Sequence, residues 1–329
     1  MPRLSDRLVL LRTFVMTAAL TTAFALVASG AETDVAKPAA TPAGQKETTV
    51  APEGCTIEKF TVPSKSMGRE IKAVVVLPPE YAQKPEARYP VLYALHGMKA
   101  PYVAWSEMMP LRKSLGEHPM ILVCFDGDSA GWYIDSTKKP ESQFATFFFN
   151  ELIPYIDGNY RTRADGGSRG VTGFSMGGYG AFQYMLTHPE MFASISALSG
   201  AFERLGDRGP DVHESLVALL GAYNENKAAY QKYSIYSRLE ERIAQGVHLP
   251  PVFIHCGTED DLIKESRSLL SFLTEQNQKL TKEGKGTLVF QYKESPGKHD
   301  WAFWRDASVG VADFHWRSFQ QPAKTGSAK

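Results

Sequence analysis

Residues 170–178 read Gly170-Val171-Thr172-Gly173-Phe174-Ser175-Met176-Gly177-Gly178, and the fold turns on this stretch. Its first half is a short run with β-type residues, which suits a strand buried on both faces. Its second half opens the segment 176–187, where Tyr179, Phe182, Met185 and Leu186 recur at helical spacing. A serine between strand and helix, with glycine at 173 and 177, fits a very sharp turn. Glycine lets the two elements approach without Cβ clashes, and the serine hydroxyl then stands exposed at the carboxyl edge of a sheet. The five-residue G-x-S-x-G pattern alone is weak, and its context gives it meaning. The bland alternative is a Gly-rich turn with an idle serine. What separates the two is whether a base and an acid follow.

The same rhythm runs outward in both directions. Apolar, β-branched runs occupy 71–77, 91–95, 120–125, 170–174, 193–198, 252–256 and 287–292. Helical-length segments lie between most of them, at 105–115, 143–156, 176–187 and 263–282. Strands alternating with helices imply parallel crossovers, so the chain predicts one mostly parallel α/β sheet of about eight strands with helices on both faces. Residues 202–248 break the rhythm, being longer and more polar. They read as an insertion over the strand ends, a lid or a substrate wall.

The ends of the chain have a different character. Arg3, Arg7 and Arg12 precede an apolar stretch at 13–28, followed by Ser29-Gly30-Ala31. That order predicts a secretory signal peptide over 1–31, and hence a secreted or periplasmic protein. The stretch is short of the ~20 strongly apolar residues of a spanning helix, so no stable membrane insertion is expected. Residues 32–52, rich in Ala, Thr, Pro and Lys, read as a flexible linker. The catalytic domain is expected over 53–320 and a disordered tail over 321–329. Formal net charge is zero and Lys and Arg are scattered, which argues against a nucleic-acid partner. The three cysteines, Cys55, Cys124 and Cys256, cannot all pair within one chain, and two of them end apolar runs. Buried, unpaired thiols are expected. No Cys or His pair has zinc-like spacing, so no metal and no cofactor are expected.

A serine nucleophile needs a base, and the base needs an orienting acid. In this type of fold they follow the serine in the order acid, then histidine. His299 lies beyond the strand at 287–292, across Ser295-Pro296-Gly297-Lys298, where a base at the carboxyl edge must sit. His315, between Phe314 and Trp316 in a terminal helical stretch, reads as a packed or surface residue. After the strand at 252–256 come Glu259, Asp260 and Asp261, and spacing does not choose among them. An oxyanion also needs two backbone N–H donors. Met176, after the nucleophile, supplies one. Met98, in the loop His96-Gly97-Met98 after the strand at 91–95, is the candidate for the other, with His96 shaping that loop.

Four segments together resemble the esterase D branch of the α/β-hydrolases: Leu92-Tyr93-Ala94-Leu95-His96-Gly97, Gly173-Phe174-Ser175-Met176-Gly177-Gly178, Cys256-Gly257-Thr258-Glu259-Asp260 and His299-Asp300-Trp301. That branch holds feruloyl and acetylxylan esterases, S-formylglutathione hydrolases, mycolyltransferases and short-chain carboxylesterases. The segments follow the family's order over roughly residues 55–318. The resemblance implies Asp260 as the acid, three residues after the strand-end glycine. It also implies that Gly131-Trp132-Tyr133 is the aromatic loop beside the site, so Trp132 and Tyr133, with Trp301, are expected to touch substrate. Relatives often carry Gly-Gly before the histidine; here Gly297-Lys298 brings a long cation near it.

The expected chemistry is acyl transfer from a short-chain or aryl ester to water through Ser175, His299 and Asp260. The expected partner is a small-molecule or carbohydrate-linked ester. An acyltransferase would share every catalytic residue and differ in excluding water. A siderophore-ester or peptide hydrolase would differ in the pocket, and a binding module would keep the fold without the chemistry.

Overall fold

The computed structural model describes residues 46–203, 205 and 212–321. The stretch read as a signal peptide, the part of the expected linker up to residue 45 and the expected tail from residue 322 lie outside the described residues.

Strand residues that alternate between two apolar layers organise the molecule. In β4 (Val91–Leu95), Val91, Tyr93 and Leu95 face one layer while Leu92 and Ala94 face the other. β5 (Ile121–Phe125) divides the same way, with Val123 on one side and Cys124 on the other. Both faces must therefore be covered, and helices cover them. The first layer takes α1 (Phe144–Phe147), α2 (Ile153–Asn159), α3 (Met176–Thr187) and α7 (Ile263–Lys282). The second takes the segment 104–116 and α8 (Trp301–Phe319).

Among the described residues the sheet has nine strands, against the eight or so expected. The additional ones come first: β1 (Glu47–Val50) and β2 (Thr56–Ser64), followed by β3 (Arg69–Leu77). β1 falls inside the stretch read as linker. All four of its residues are exposed, so it carries no apolar pattern and exists through its pairing with β2. With β6 (Arg169–Phe174), β7 (Ser194–Leu198), β8 (Val252–Gly257) and β9 (Phe290–Ser295), the order is β1-β2-β3-β5-β4-β6-β7-β8-β9. The three pairings from β1 to β5 are antiparallel and those beyond are parallel. Strand order reverses at β4, so the carboxyl ends of β4 and β6 open a crevice, the usual place for a ligand in such sheets.

Two expected elements differ in form. The helix expected at 105–115 is a π-helical turn, Ala104–Met108, followed by a 3-10 segment, Pro110–Gly116. Pro110 has no N–H to continue an α ladder and splits it. β9 lies three residues later than the apolar run suggested, because this edge strand is only half-buried. Within the insertion, α4 (Glu214–Leu220), α5 (Lys227–Tyr233) and α6 (Ile235–Ala244) sink Leu216 and Leu220, Tyr230 and Tyr233, and Ile235 and Leu239, respectively, into the first layer. Cys55, Cys124 and Cys256 are all buried and free.

His315 is fully buried on α8, against β6 and β7. Its Nε2 lies 2.9 Å from Ser196 Oγ, which itself donates to Thr172 Oγ1, and its Nδ1 lies 2.8 Å from Ser194 Oγ. A Cβ at Gly170 would stand 2.7 Å from Nδ1, which accounts for a glycine in the middle of a buried strand. Burial pushes the imidazole down to about 3, and that of His255 to about 4. The unfolded chain therefore binds protons that the folded chain refuses as pH falls from the ordinary histidine value, near 6.5, toward those values. Stability is fully present above that window and is lost through it, by up to about 1.4 kcal/mol per pH unit per group. His315→Gln keeps an amide for the serines and cannot titrate. Its urea midpoint is expected to fall less between pH 7 and pH 4.5 than that of the parent, and an equal fall would refute the linkage.

Candidate active site

Ser175 sits in the crevice with φ 53° and ψ −121°, a conformation costing about 1–3 kcal/mol for a residue with a side chain. The surrounding backbone holds it there. Its N–H donates to Leu198 O on β7 at 2.9 Å, and its carbonyl accepts from Gly178 and Tyr179 in the first turn of α3. A Cβ at Gly173 would come within 2.1 Å of Gly177 O, and one at Gly177 within 2.2 Å of Leu95 O. The close approach of β6, α3 and β4 is open to glycine alone. Met176 is the first residue of α3, so its N–H has no acceptor within the helix.

His299 reaches Ser175 from the loop after β9. Its Nε2 lies 2.9 Å from Ser175 Oγ, and its Nδ1 lies 3.0 and 3.1 Å from the two carboxylate oxygens of Asp260. Paired backbone joins this loop to the one carrying the acid: Thr258 N–H donates to Ser295 O and Glu259 N–H to Gly297 O, each at 2.9 Å. Asp260 is 2 % exposed, whereas Glu259 and Asp261 are exposed, Asp261 on the wall of the cavity in front of Ser175. Burial pushes its carboxyl up, but hydrogen bonds from His299, Ser199 and the Leu262 N–H outweigh that and hold it below the ordinary carboxylate range. Of the three candidate acids the structure brings Asp260 alone to the imidazole.

The loop after β4 completes the crevice. His96 is buried; its Nδ1 lies 2.8 Å from Gly97 O and its Nε2 accepts from Gly127 N–H at 2.9 Å. Desolvation lowers its pKa, and the neutral ring braces the turn that carries Met98. A cavity of about 650 Å³ opens between Met98, Trp132, Ser175, Met176, His299 and Trp301. Trp132 and Tyr133 part company here. Both have positive φ, 52° and 59°, and this double left-handed step sends their side chains to different surroundings. Trp132 lines the cavity. Tyr133 is fully buried, donates to His96 O at 2.9 Å and packs on Phe125 and Tyr184, so the expected substrate contact is corrected to a core support under the β4 loop.

Among the cavity walls that escaped the sequence reading are Trp304 and His213. Trp304 stands edge-on to His299 at 4.9 Å and to Trp301 at 5.3 Å, with its Nε1 donating to Ser199 Oγ. The i, i+3 spacing from Trp301 was a usable signal. His213 enters from the insertion, where no periodicity pointed to it. Among the described residues no group of three or more His, Cys, Asp or Glu could hold a metal ion, and no helix is long and apolar enough to cross a membrane.

The chain is 37% identical over 146 residues to Esterase Rv1288 of Mycobacterium tuberculosis, which covers 42% of this chain and 31% of that protein. It thus spans about a third of that relative's length. An acetyl esterase of Caldicellulosiruptor saccharolyticus is 24% identical over 282 residues, covering 78% of this chain and 95% of the relative. Among solved structures, a ferulic acid esterase matches 80% of this chain and 98% of its own with TM-score 0.63 and 27% identity. An S-formylglutathione hydrolase from Agrobacterium tumefaciens shares the fold, with TM-score 0.65 at 24% identity over 83% of this chain and 98% of its own. The fold is that of the α/β-hydrolases. The Esterase family model, described as putative esterase, matches residues 64–310, and the chain belongs to that family.

Proposed function

We propose that the chain is a serine carboxylesterase that hydrolyses short-chain or aryl esters through an acyl-enzyme on Ser175. One observation carries the reading: the unbroken line from Ser175 Oγ through His299 Nε2 and Nδ1 to the Asp260 carboxylate, with steps of 2.9 and 3.0 Å. As Ser175 Oγ attacks the ester carbonyl carbon, His299 Nε2 takes its proton and the carbonyl oxygen becomes an oxyanion. The N–H groups of Met98 and Met176 hold that charge. The tetrahedral adduct collapses, the bond to the alcohol oxygen breaks, and the imidazolium returns the proton to the departing alcohol. Water then gives a proton to His299 and attacks the acyl carbon, releasing the acid and restoring Ser175 Oγ–H. Asp260 accepts from Nδ1–H throughout, fixing the tautomer and stabilising the imidazolium.

Trp132, Trp301, Trp304 and Phe174 line the cavity, and flat aromatic walls suit a short or aryl acyl group. The acetyl esterase named above, and an endo-1,4-beta-xylanase/feruloyl esterase of Xylanibacter ruminicola that is 33% identical over 159 residues, support an acetyl- or feruloyl-type ester. With export expected from residues 1–31, a secreted or periplasmic enzyme acting on acyl groups of carbohydrate is the natural substrate reading.

Ser175→Ala is expected to fold normally and to lose on the order of 10⁴-fold or more in kcat, since triad members act as a unit. A fluorophosphonate should label Ser175 in the parent, and labelling that persists in the alanine variant would reject the nucleophile. Asp260→Asn is expected to cost on the order of 10³- to 10⁴-fold in kcat, and Asp261→Asn far less; equal, mild losses would mean the acid lies elsewhere. With p-nitrophenyl esters, acetyl to butyryl should outrun decanoyl and longer chains in kcat/KM. Palmitoyl esters as the best substrates would overturn the pocket reading while leaving the triad intact.

A further inference from the structure

The wall made by Trp132 is held from outside the catalytic core. Trp132 Nε1–H donates to Ser215 Oγ at 2.7 Å, across a sequence separation of 83 residues. Ser215 Oγ lies 2.7 Å from His213 Nδ1, and Ser215 N–H donates to the same nitrogen at 3.3 Å. Because Nδ1 already accepts from that N–H, the serine hydroxyl proton goes to the ring, leaving the oxygen to accept from the indole. The three groups form a directed relay from Trp132 through Ser215 to His213. The ring of Trp132 also stands 5.7 Å from that of His213 and 5.4 Å, edge-on, from that of Tyr179. His213 is the N-cap of α4 and lines the same cavity, so the insertion reaches the site both directly and through this indole.

Trp132 needs such an anchor more than an ordinary wall residue does. Two successive bulky residues with positive φ persist only where their surroundings over-determine them. Tyr133 is secured within the core by the His96 carbonyl, whereas the polar anchor of the Trp132 indole is Ser215.

We propose that Ser215 is a specificity-determining positioning residue: through the Trp132 indole it fixes one wall of the acyl pocket and restricts the enzyme to short or flat acyl groups. This rests on the esterase reading above. Among the described residues Ser215 is hydrogen-bonded to Trp132 and His213 and does not line the cavity, so it acts on which acyl group fits and not on bond making. The insertion is then the part of the chain that selects the substrate class.

The test compares kcat/KM for p-nitrophenyl acetate and octanoate in the full chain. Ser215→Ala is expected to lower the acetate-to-octanoate ratio by about 10-fold, the size of a modest change in pocket fit. Ser215→Thr, which keeps the hydroxyl, should hold the parental ratio. Trp132→Phe removes the N–H while keeping a ring. It should shift the ratio as Ser215→Ala does, and the double variant should add nothing further, since both remove one bond. Trp132→Phe also carries the test should Ser215→Ala fail to fold. A merely structural serine would lower Tm and depress both esters equally; an unchanged ratio in Ser215→Ala and Trp132→Phe would overturn the inference. So would a threonine variant that behaves like alanine, or additive shifts in the double variant. A parent protein that cleaves neither ester would overturn the esterase reading itself, whereas one with a short-acyl preference untouched by these variants would overturn this inference alone.

Discussion

The chain reverses direction at Ser175 in a conformation that residues with side chains avoid, and the site depends on that reversal. It requires β6, the start of α3 and the end of β4 to meet closer than any Cβ permits, which is why 173 and 177 are glycine. Once the turn is made, the consequences are geometric. Ser175 Oγ projects beyond the sheet, the open N-terminus of α3 lies under it, and the β4 loop is pressed against it. The strain is offset by bonds that cross between neighbouring strands, above all the one from Ser175 N–H to Leu198 O.

The parallel register does the remaining work. β6, β7, β8 and β9 are successive neighbours, so the loops leaving their carboxyl ends fan out along one edge. Gly257 and Ser295 are paired in the last rung of β8 and β9, and the two following loops stay bonded to each other. Asp260 and His299 thus arrive side by side although they are 39 residues apart. A buried carboxylate kept ionised by three donors is costly unless its partner is fixed, and this loop pairing fixes it.

Much of this was legible in the residues, and the failures share a cause. The buried central strands and α3 could be read because burial on both faces writes itself as continuous apolar runs. β1 could not, since its residues are exposed and its existence lies in backbone pairing. Ser175 and His299 followed from local context and chain order, but choosing Asp260 over its two neighbours needed the family resemblance. Which of three adjacent carboxylates turns inward is a property of loop closure, not of composition. Tyr133 was misjudged for a related reason. Two adjacent aromatic residues look equivalent in sequence, and only the backbone step between them decides that one lines the cavity and the other props up its floor. His213 left no trace at all, because the insertion follows no period.

The three thiols lead somewhere else. Cys55, Cys124 and Cys256 are buried apart from one another, and burial pushes Cys55 and Cys256 up to about 11 and Cys124 higher still. Thiolate is the form that attacks disulfides and peroxides, so none of the three has appreciable reactivity near neutrality. The described fold contains no covalent cross-link between its elements. Its stability is therefore decoupled from the redox potential of its surroundings: the packed layers hold equally well in a reducing or an oxidising medium, and the chain needs no oxidative folding step to reach them.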